Sequence, residues 1–443
     1  MINRKIFNTL HNKLQNSKKA ILVTGARQVG KTFIIRQLGA AHYKHFIEIN
    51  MLQEPELATM FSRTKSADDI LIALSTHYGK RMVAGQTLFF FDEVQECPDI
   101  VTKIKFLVDQ SDFKYVLSGS LLGVELNDLR SEPVGYLDTV DMYPLDFEEF
   151  VTALGVGNDV LAALRNAFEQ HEPVNDHVHQ QMMKYVRLYL LTGGMPAAVQ
   201  KYLDTHNLRL VADEQLAILR LYKKDISKYD TGNKLYLNEI FELIPPELNA
   251  KNKRFILKNL NENVKFSRFE NSFLWMKNAG VAIPTYNIEE PKLPLLLARS
   301  RNLFKLFQND VGLLAAQYAT SVQLRILEGD DKINFGSIYE NFVAQELTAH
   351  GFNAYYYNSK KNGEVDFVIE HNDQVLPIEV KSGKDYARHR ALDRLMASPE
   401  YDLPQAFVLC NDNVSTTGRI ACLPVYMTMF LHKRQASDLI YHV

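Results

Sequence analysis

Thr24-Gly25-Ala26-Arg27-Gln28-Val29-Gly30-Lys31-Thr32 follows the apolar run Ala20-Ile21-Leu22-Val23 and leads into Phe33-Ile34-Ile35-Arg36-Gln37-Leu38. The spacing is G-x-x-x-x-G-K-[ST], set between a strand and a helix. Glycines let the backbone wrap so that several N–H groups and the helix N-terminus face one anion. Lys31 supplies a point charge for the β and γ phosphates, and the Thr32 hydroxyl is placed to hold Mg²⁺. The stretch predicts a cradle for ATP made of Gly25, Ala26, Arg27, Gln28, Val29, Gly30, Lys31 and Thr32.

Working outward, His45-Phe46-Ile47-Glu48-Ile49-Asn50 alternates as a second strand. Thr87-Leu88-Phe89-Phe90-Phe91-Asp92-Glu93 then reads as a buried parallel strand whose polar tip faces the phosphates. Asp92 is expected to hold Mg²⁺, directly or through water, and Glu93 to polarise the attacking water. A helix over Asp99–Gln110 separates this strand from Phe113-Lys114-Tyr115-Val116-Leu117-Ser118-Gly119-Ser120. In AAA-type ATPases the strand after the acidic pair carries a polar sensor. Ser118 and Ser120 are the candidates, with Ser120 preferred because it lies beyond the strand end; a serine-rich turn explains the pattern equally well. Leu137-Asp138-Thr139-Val140-Asp141-Met142-Tyr143 gives a fifth strand, stopped by Pro144.

Composition bounds the rest. A chain of 443 residues suggests roughly two to four domains. Its 46% hydrophobic and 23% charged content is that of a globular protein. No apolar signal core opens the chain, and no run approaches about eighteen uncharged apolar residues, so a cytoplasmic protein without a membrane partner is expected. Cys97, Cys410 and Cys422 lack disulfide or metal spacing, which fits a reducing compartment. A net charge of −2 argues neither for nor against nucleic acid, because binding needs a local basic face.

The loop GARQVGKT, the acidic strand FFFDEVQ, the segment VLSGS, and the later YPLDFEEF and LTGGMPAAV together resemble a family of prokaryotic AAA-type ATPases. That family carries a C-terminal domain long described as of unknown function. The resemblance runs from about residue 18 to residue 383 and implies an α/β fold: an AAA-type P-loop parallel sheet (1–150), a helical lid (151–230), a winged-helix-like adaptor (231–310) and a C-terminal α/β domain (311–443). Many relatives carry a glycine-arginine step before YPLDFEEF. Gly135-Tyr136 stands here instead, leaving Arg130 as a substitute for an arginine supplied between subunits.

The stretch 146–229 is helical text, with Phe147, Phe150, Val151 and Leu154 and then Val186, Leu190 and Leu191 at helical spacing. Within the adaptor, Lys251, Lys253, Arg254, Lys258, Lys265 and Arg268 form a basic cluster, and Arg299, Arg301 and Lys305 a weaker one. Winged helices set such clusters on phosphates; a solvated basic face accounts for them equally well. The strand Val281-Ala282-Ile283-Pro284-Thr285-Tyr286-Asn287 closes this region.

Four separated residues in the last third point at one place. Glu340 falls on the apolar side of the helix 336–347, so its carboxylate needs a cation or a metal. Period-two alternation sets Glu364, Asp366 and Val368 on one face of their strand, and Glu379 with Lys381 on one face of the next. Hard oxygen ligands of this kind suit Mg²⁺ or Mn²⁺, which would activate water, with a lysine beside the metal to stabilise charge. The order helix Glu, Asp, Glu-x-Lys resembles the PD-(D/E)XK nuclease core, which implies metal ligation by Glu340, Asp366 and Glu379 and a catalytic role for them with Lys381. The bland alternative is a surface ion-pair network, Lys381 with Glu379 and Glu340 with a nearby arginine. Two functions follow: an ATPase whose nucleotide state drives a metal-dependent nuclease-like domain on nucleic acid (DNA before RNA), or an ATP-dependent switch whose C-terminal domain binds a protein partner or a second copy without cleaving.

Overall fold

The computed structural model describes residues 2–64, 66–119, 135–229, 234–250, 253–256, 269–330 and 335–433. The chain divides into two compact units: residues up to Tyr143 with Leu274–Val281, and Pro144–Phe273 with the chain from Ala282 onward.

In the first unit five strands lie in the order β2-β3-β4-β1-β5. They are β1 (Ala20–Thr24), β2 (His45–Asn50), β3 (Thr87–Asp92), β4 (Lys114–Ser118) and β5 (Leu137–Asp141), and all pair in parallel. Every residue of β1 and β3 is buried, which explains why both read as unbroken apolar runs rather than alternations. Phe89 stacks on Tyr115 at 5.6 Å between ring centroids, and Phe61 meets Phe91 edge-on at 5.5 Å, so strand and helix share one aromatic core. The helix Asp99–Gln110 buries Ile100, Val101, Ile104 and Leu107, the stripe its periodicity predicts. Parallel pairing brings the C-terminal ends of β1, β3 and β4 to the same side of the sheet, and with them Thr24, Asp92 and Ser118.

The second unit opens with five helices, Phe147–Ala153, Asn158–Gln170, Asp176–Thr192, Pro196–Thr205 and Leu208–Tyr229. Asp146 and Glu149 form a reciprocal capping box on the first, and Pro196 starts the fourth, where its missing N–H costs nothing. The YPLDFEEF and LTGGM motifs owe their character to buried polar knots. The Gly194 N–H donates to Asp310 Oδ2 at 2.6 Å, and the Phe147 N–H to Glu346 Oε1 at 3.0 Å.

An eight-stranded mixed sheet completes this unit in the order β12-β13-β11-β10-β9-β8-β6-β7. Its strands are β6 (Ala282–Ile288), β7 (Arg299–Gln308), β8 (Tyr355–Ser359), β9 (Gly363–His371), β10 (Gln374–Val380), β11 (Ala406–Cys410), β12 (Ser415–Thr417) and β13 (Ile420–Pro424). β6 and β7 lie in the stretch expected as an adaptor, yet β6 pairs in parallel with β8 and the sheet is continuous from β7 to β12. The periodicity of 281–287 announces a strand and is silent about its neighbours, because pairing is decided by chain far away in sequence. The helix Gly336–Ala349 is buried from Gly336 to Leu347, more completely than a one-sided apolar stripe predicts.

Candidate functional sites: a phosphate loop and a buried carboxylate–lysine cluster

The phosphate loop is held by backbone. Gly25 has φ +130°, and a Cβ there would sit 2.1 Å from the Met142 carbonyl oxygen, so only glycine fits this approach. The Met142 N–H in turn donates to the Thr24 carbonyl at 2.9 Å. Arg4 reaches in from upstream, donating to the Tyr143 carbonyl at 2.7 Å and the Val29 carbonyl at 3.3 Å. Gly30 then hands the chain to the helix Lys31–His42, whose first-turn N–H groups have no intrahelical acceptors.

Lys31 is buried, and its ammonium donates to the Gly25 and Ala26 carbonyls at 2.8 and 2.9 Å. Burial lowers its pKa to about 8, against the opposing pull of Glu93 and Asp92. The Thr32 hydroxyl donates to Asp92 Oδ2 at 3.1 Å, bringing together the two hard oxygen donors expected at Mg²⁺. Asp92 Oδ1 accepts from the Ser118 hydroxyl at 2.5 Å and from the Glu93 N–H at 3.1 Å. Burial raises the Asp92 pKa, and the hydrogen bond from Ser118 counteracts it; a carboxylate in this state gains from a nearby cation. The donor set therefore fits the metal that accompanies a nucleoside triphosphate. Glu93 sits in the left-handed region at φ 53°, a costly conformation for glutamate of the kind found at working sites, and its Oε2 accepts from Gln95 Nε2 at 2.5 Å.

Ser118 is thus engaged in orienting Asp92. Ser120, the preferred sensor, lies outside the described residues, as do Arg130 and the basic residues Lys251, Lys258, Lys265 and Arg268.

In the second unit Lys305 lies between Glu340 and Asp366 and Lys253 binds Glu340, partners the sequence does not announce, whereas Glu379 meets the Lys381 expected beside it. Lys305, on β7, has no exposed surface, and its ammonium lies 2.8 Å from Glu364 Oε1, 3.2 Å from Glu340 Oε2 and 3.6 Å from Asp366 Oδ1. Lys253 binds the other oxygen of Glu340. Asp366 Oδ2 accepts the Val380 N–H at 2.9 Å, and Lys381 pairs with Glu379 Oε1 at 2.7 Å. Burial opposes the Lys305 charge, but Glu340, Asp366 and Glu364 outweigh it and hold its pKa well above the ordinary value. Burial, then the nearby Asp366, pushes Glu379 up to about 8, against the opposing pull of Lys381.

Lys253 and Lys305 therefore differ from the basic faces expected of them: both turn inward onto carboxylates. Among the described residues no group of three His, Cys, Asp or Glu side chains is arranged to hold a metal ion. The cation that Glu340 needed is supplied by lysine. A signal for Lys305 existed in Leu303-Phe304-Lys305-Leu306-Phe307, a lone charge inside an apolar strand, which demands a buried partner. Among the described residues no helix is long and apolar enough to cross a membrane.

Family models match three stretches: an AAA domain over residues 17–151, a Domain of unknown function (DUF8612) over 183–324, and a Domain of unknown function (DUF4143) over 335–427. No curated protein matches the chain. Among solved structures the chain is similar to a Walker-type ATPase of Pyrococcus abyssi, at 15% identity and TM-score 0.45, over 71% of this chain and 95% of that one. It is also similar to Cdc6p from Pyrobaculum aerophilum, at 14% identity and TM-score 0.25, over 73% and 92%. A third is the RuvB Holliday junction branch migration motor of Thermotoga maritima, at 13% identity and TM-score 0.27, over 63% and 89%. Residues 17–151 thus match an AAA domain and carry the phosphate loop, and two stretches that match domains of unknown function follow in the chain.

Proposed function

We propose that this protein is an ATP-hydrolysing switch whose C-terminal carboxylate cluster is an ion-paired structural network rather than a metal-loaded cleavage centre. The observation that carries this reading is the Lys305 ammonium, fully buried between Glu340, Glu364 and Asp366, where a divalent cation would otherwise be needed. On this reading ATP, held by Lys31 and by Mg²⁺ on Thr32 and Asp92, is hydrolysed with Glu93 polarising the water, and the second unit binds a partner in a nucleotide-dependent way.

One observation favours the nuclease reading. Glu340, Asp366, Glu379 and Lys381 gather in the order that chemistry uses, and Glu379 Oε2 is buried with no hydrogen-bond partner. Incubating the whole protein with plasmid DNA, ATP and Mg²⁺ or Mn²⁺ separates the two. The switch reading expects intact plasmid; cleavage abolished by Asp366→Ala would replace it with the nuclease.

Glu93→Gln keeps the side-chain volume and removes the base. ATP binding is expected to persist while steady-state turnover falls about 100-fold or more. Turnover equal to wild type in a phosphate-release assay would strip Glu93 of its role.

A further inference from the structure

The phosphate loop has a neighbour that belongs to a distant part of the chain. Leu274–Val281 clusters with the first unit, although the residues on either side belong to the second. It contains the end of the helix Glu270–Asn278 and the turn after it. The Ala279 N–H returns to the Trp275 carbonyl at 2.8 Å, the Gly280 N–H to Lys277 at 2.9 Å and the Val281 N–H to Met276 at 3.0 Å, with Gly280 left-handed at φ +69°. This is an ordinary glycine helix stop. Its surroundings are not ordinary. A Cβ on Gly280 would lie 2.9 Å from the Ala26 backbone nitrogen and 3.4 Å from the Ala26 Cα and Cβ, inside the phosphate loop. The obstruction is backbone, which cannot swing aside as a long side chain can.

We propose that Gly280 is a positioning residue for nucleotide binding: its turn braces the phosphate loop at Ala26 and thereby sets the aim of Lys31. The path is short. Lys31 Nζ donates to the Gly25 and Ala26 carbonyls, so displacement of the Ala26 peptide moves an acceptor that holds the ammonium. The loop is gripped at three points, by the Met142 carbonyl at Gly25, by Gly280 at Ala26 and by Arg4 at Val29. Two of these contacts are local to the first 143 residues, whereas the third comes from a segment that continues directly into β6. Within β6, Thr285 pairs with Lys305 of β7, so one continuous stretch runs from the phosphate-loop brace to the lysine at the heart of the carboxylate cluster. The proposal rests on the phosphate loop binding ATP.

Asparagine separates a brace from a mere helix stop. It tolerates the left-handed conformation, so Gly280→Asn preserves the stop, yet it adds the Cβ that Ala26 excludes. Titration of a fluorescent ATP analogue with Mg²⁺ is expected to give a Kd at least about tenfold weaker for G280N than for wild type. Without nucleotide the two proteins are expected to melt within about 3 °C of each other. Equal affinity in G280N overturns the brace, whereas failure of the wild type itself to bind overturns the underlying ATP reading. Hydrogen exchange on the wild-type protein gives a check that needs no variant. ATP should slow exchange of the Ala279, Gly280 and Val281 amides, and unchanged exchange there in protein that has bound the analogue also overturns the proposal.

Discussion

Lys31→Ala is expected to abolish measurable ATP binding, with a loss of at least about 100-fold in affinity. Each hydrogen bond from a charged donor to phosphate contributes about 1.5–3 kcal/mol net, and Lys31 is placed to serve two phosphates. The same residue gives ATP affinity a pH signature. Burial lowers the Lys31 pKa to about 8 in the nucleotide-free protein, and only the charged form helps to hold phosphate. Affinity is therefore expected to stay level below pH 8 and to weaken as pH rises beyond it, with the bend absent in Lys31→Ala.

Stability carries the opposite slope. Between about pH 8 and the ordinary lysine value of 10.5 the unfolded chain binds more protons at Lys31 than the folded chain does. Folding free energy therefore improves as pH rises through that window, and the penalty for the buried charge is fully present below pH 8. Urea denaturation of wild type and Lys31→Ala, without nucleotide, isolates this term as the difference between two pH profiles. Parallel profiles would show that Lys31 is not strained.

Lys305→Met is expected to destabilise the protein by about 3–5 kcal/mol, the largest loss expected from any single change in the second unit. Methionine fills the space but leaves Glu340, Glu364 and Asp366 without the ammonium between them. The deficit should shrink as pH falls, because burial and then the nearby Asp366 raise the Glu340 pKa and protonation relieves the repulsion. A neutral Lys305→Met in urea denaturation would contradict the network reading. Glu379 supplies a control of opposite sign. Its pKa is pushed up from 4.5 to about 8, so the folded state binds more protons in that interval and stability falls as pH rises through it. Glu379→Gln, neutral at every pH, is expected to remove that fall.

Local sequence was enough for the nucleotide site because its chemistry is local. Gly25 to Thr32 are consecutive, and Asp92 is announced by the apolar strand it terminates. A fully buried parallel sheet leaves the same trace in sequence wherever its strands lie, so β1, β3 and β4 were legible as strands. The carboxylates Glu340, Asp366 and Glu379 were legible too, since alternation and helical periodicity assign a face without knowledge of partners.

What those carboxylates meet was decided elsewhere. Lys305 is thirty-five positions from Glu340 and Lys253 is eighty-seven, and no periodicity links them. Lys305 reaches Glu340 because β6 and β7 join the sheet on the side of β8, through pairing between chain segments far apart in sequence. Gly280 follows the same logic: its sequence reads as a helix stop, and only the close approach of Ala26 makes its missing side chain matter. Sequence alone determined a phosphate loop, its acidic strand and a set of carboxylates that required a cation. The tertiary structure decided that lysine is that cation, because the charge that satisfies a buried carboxylate comes from whichever strand packs against it.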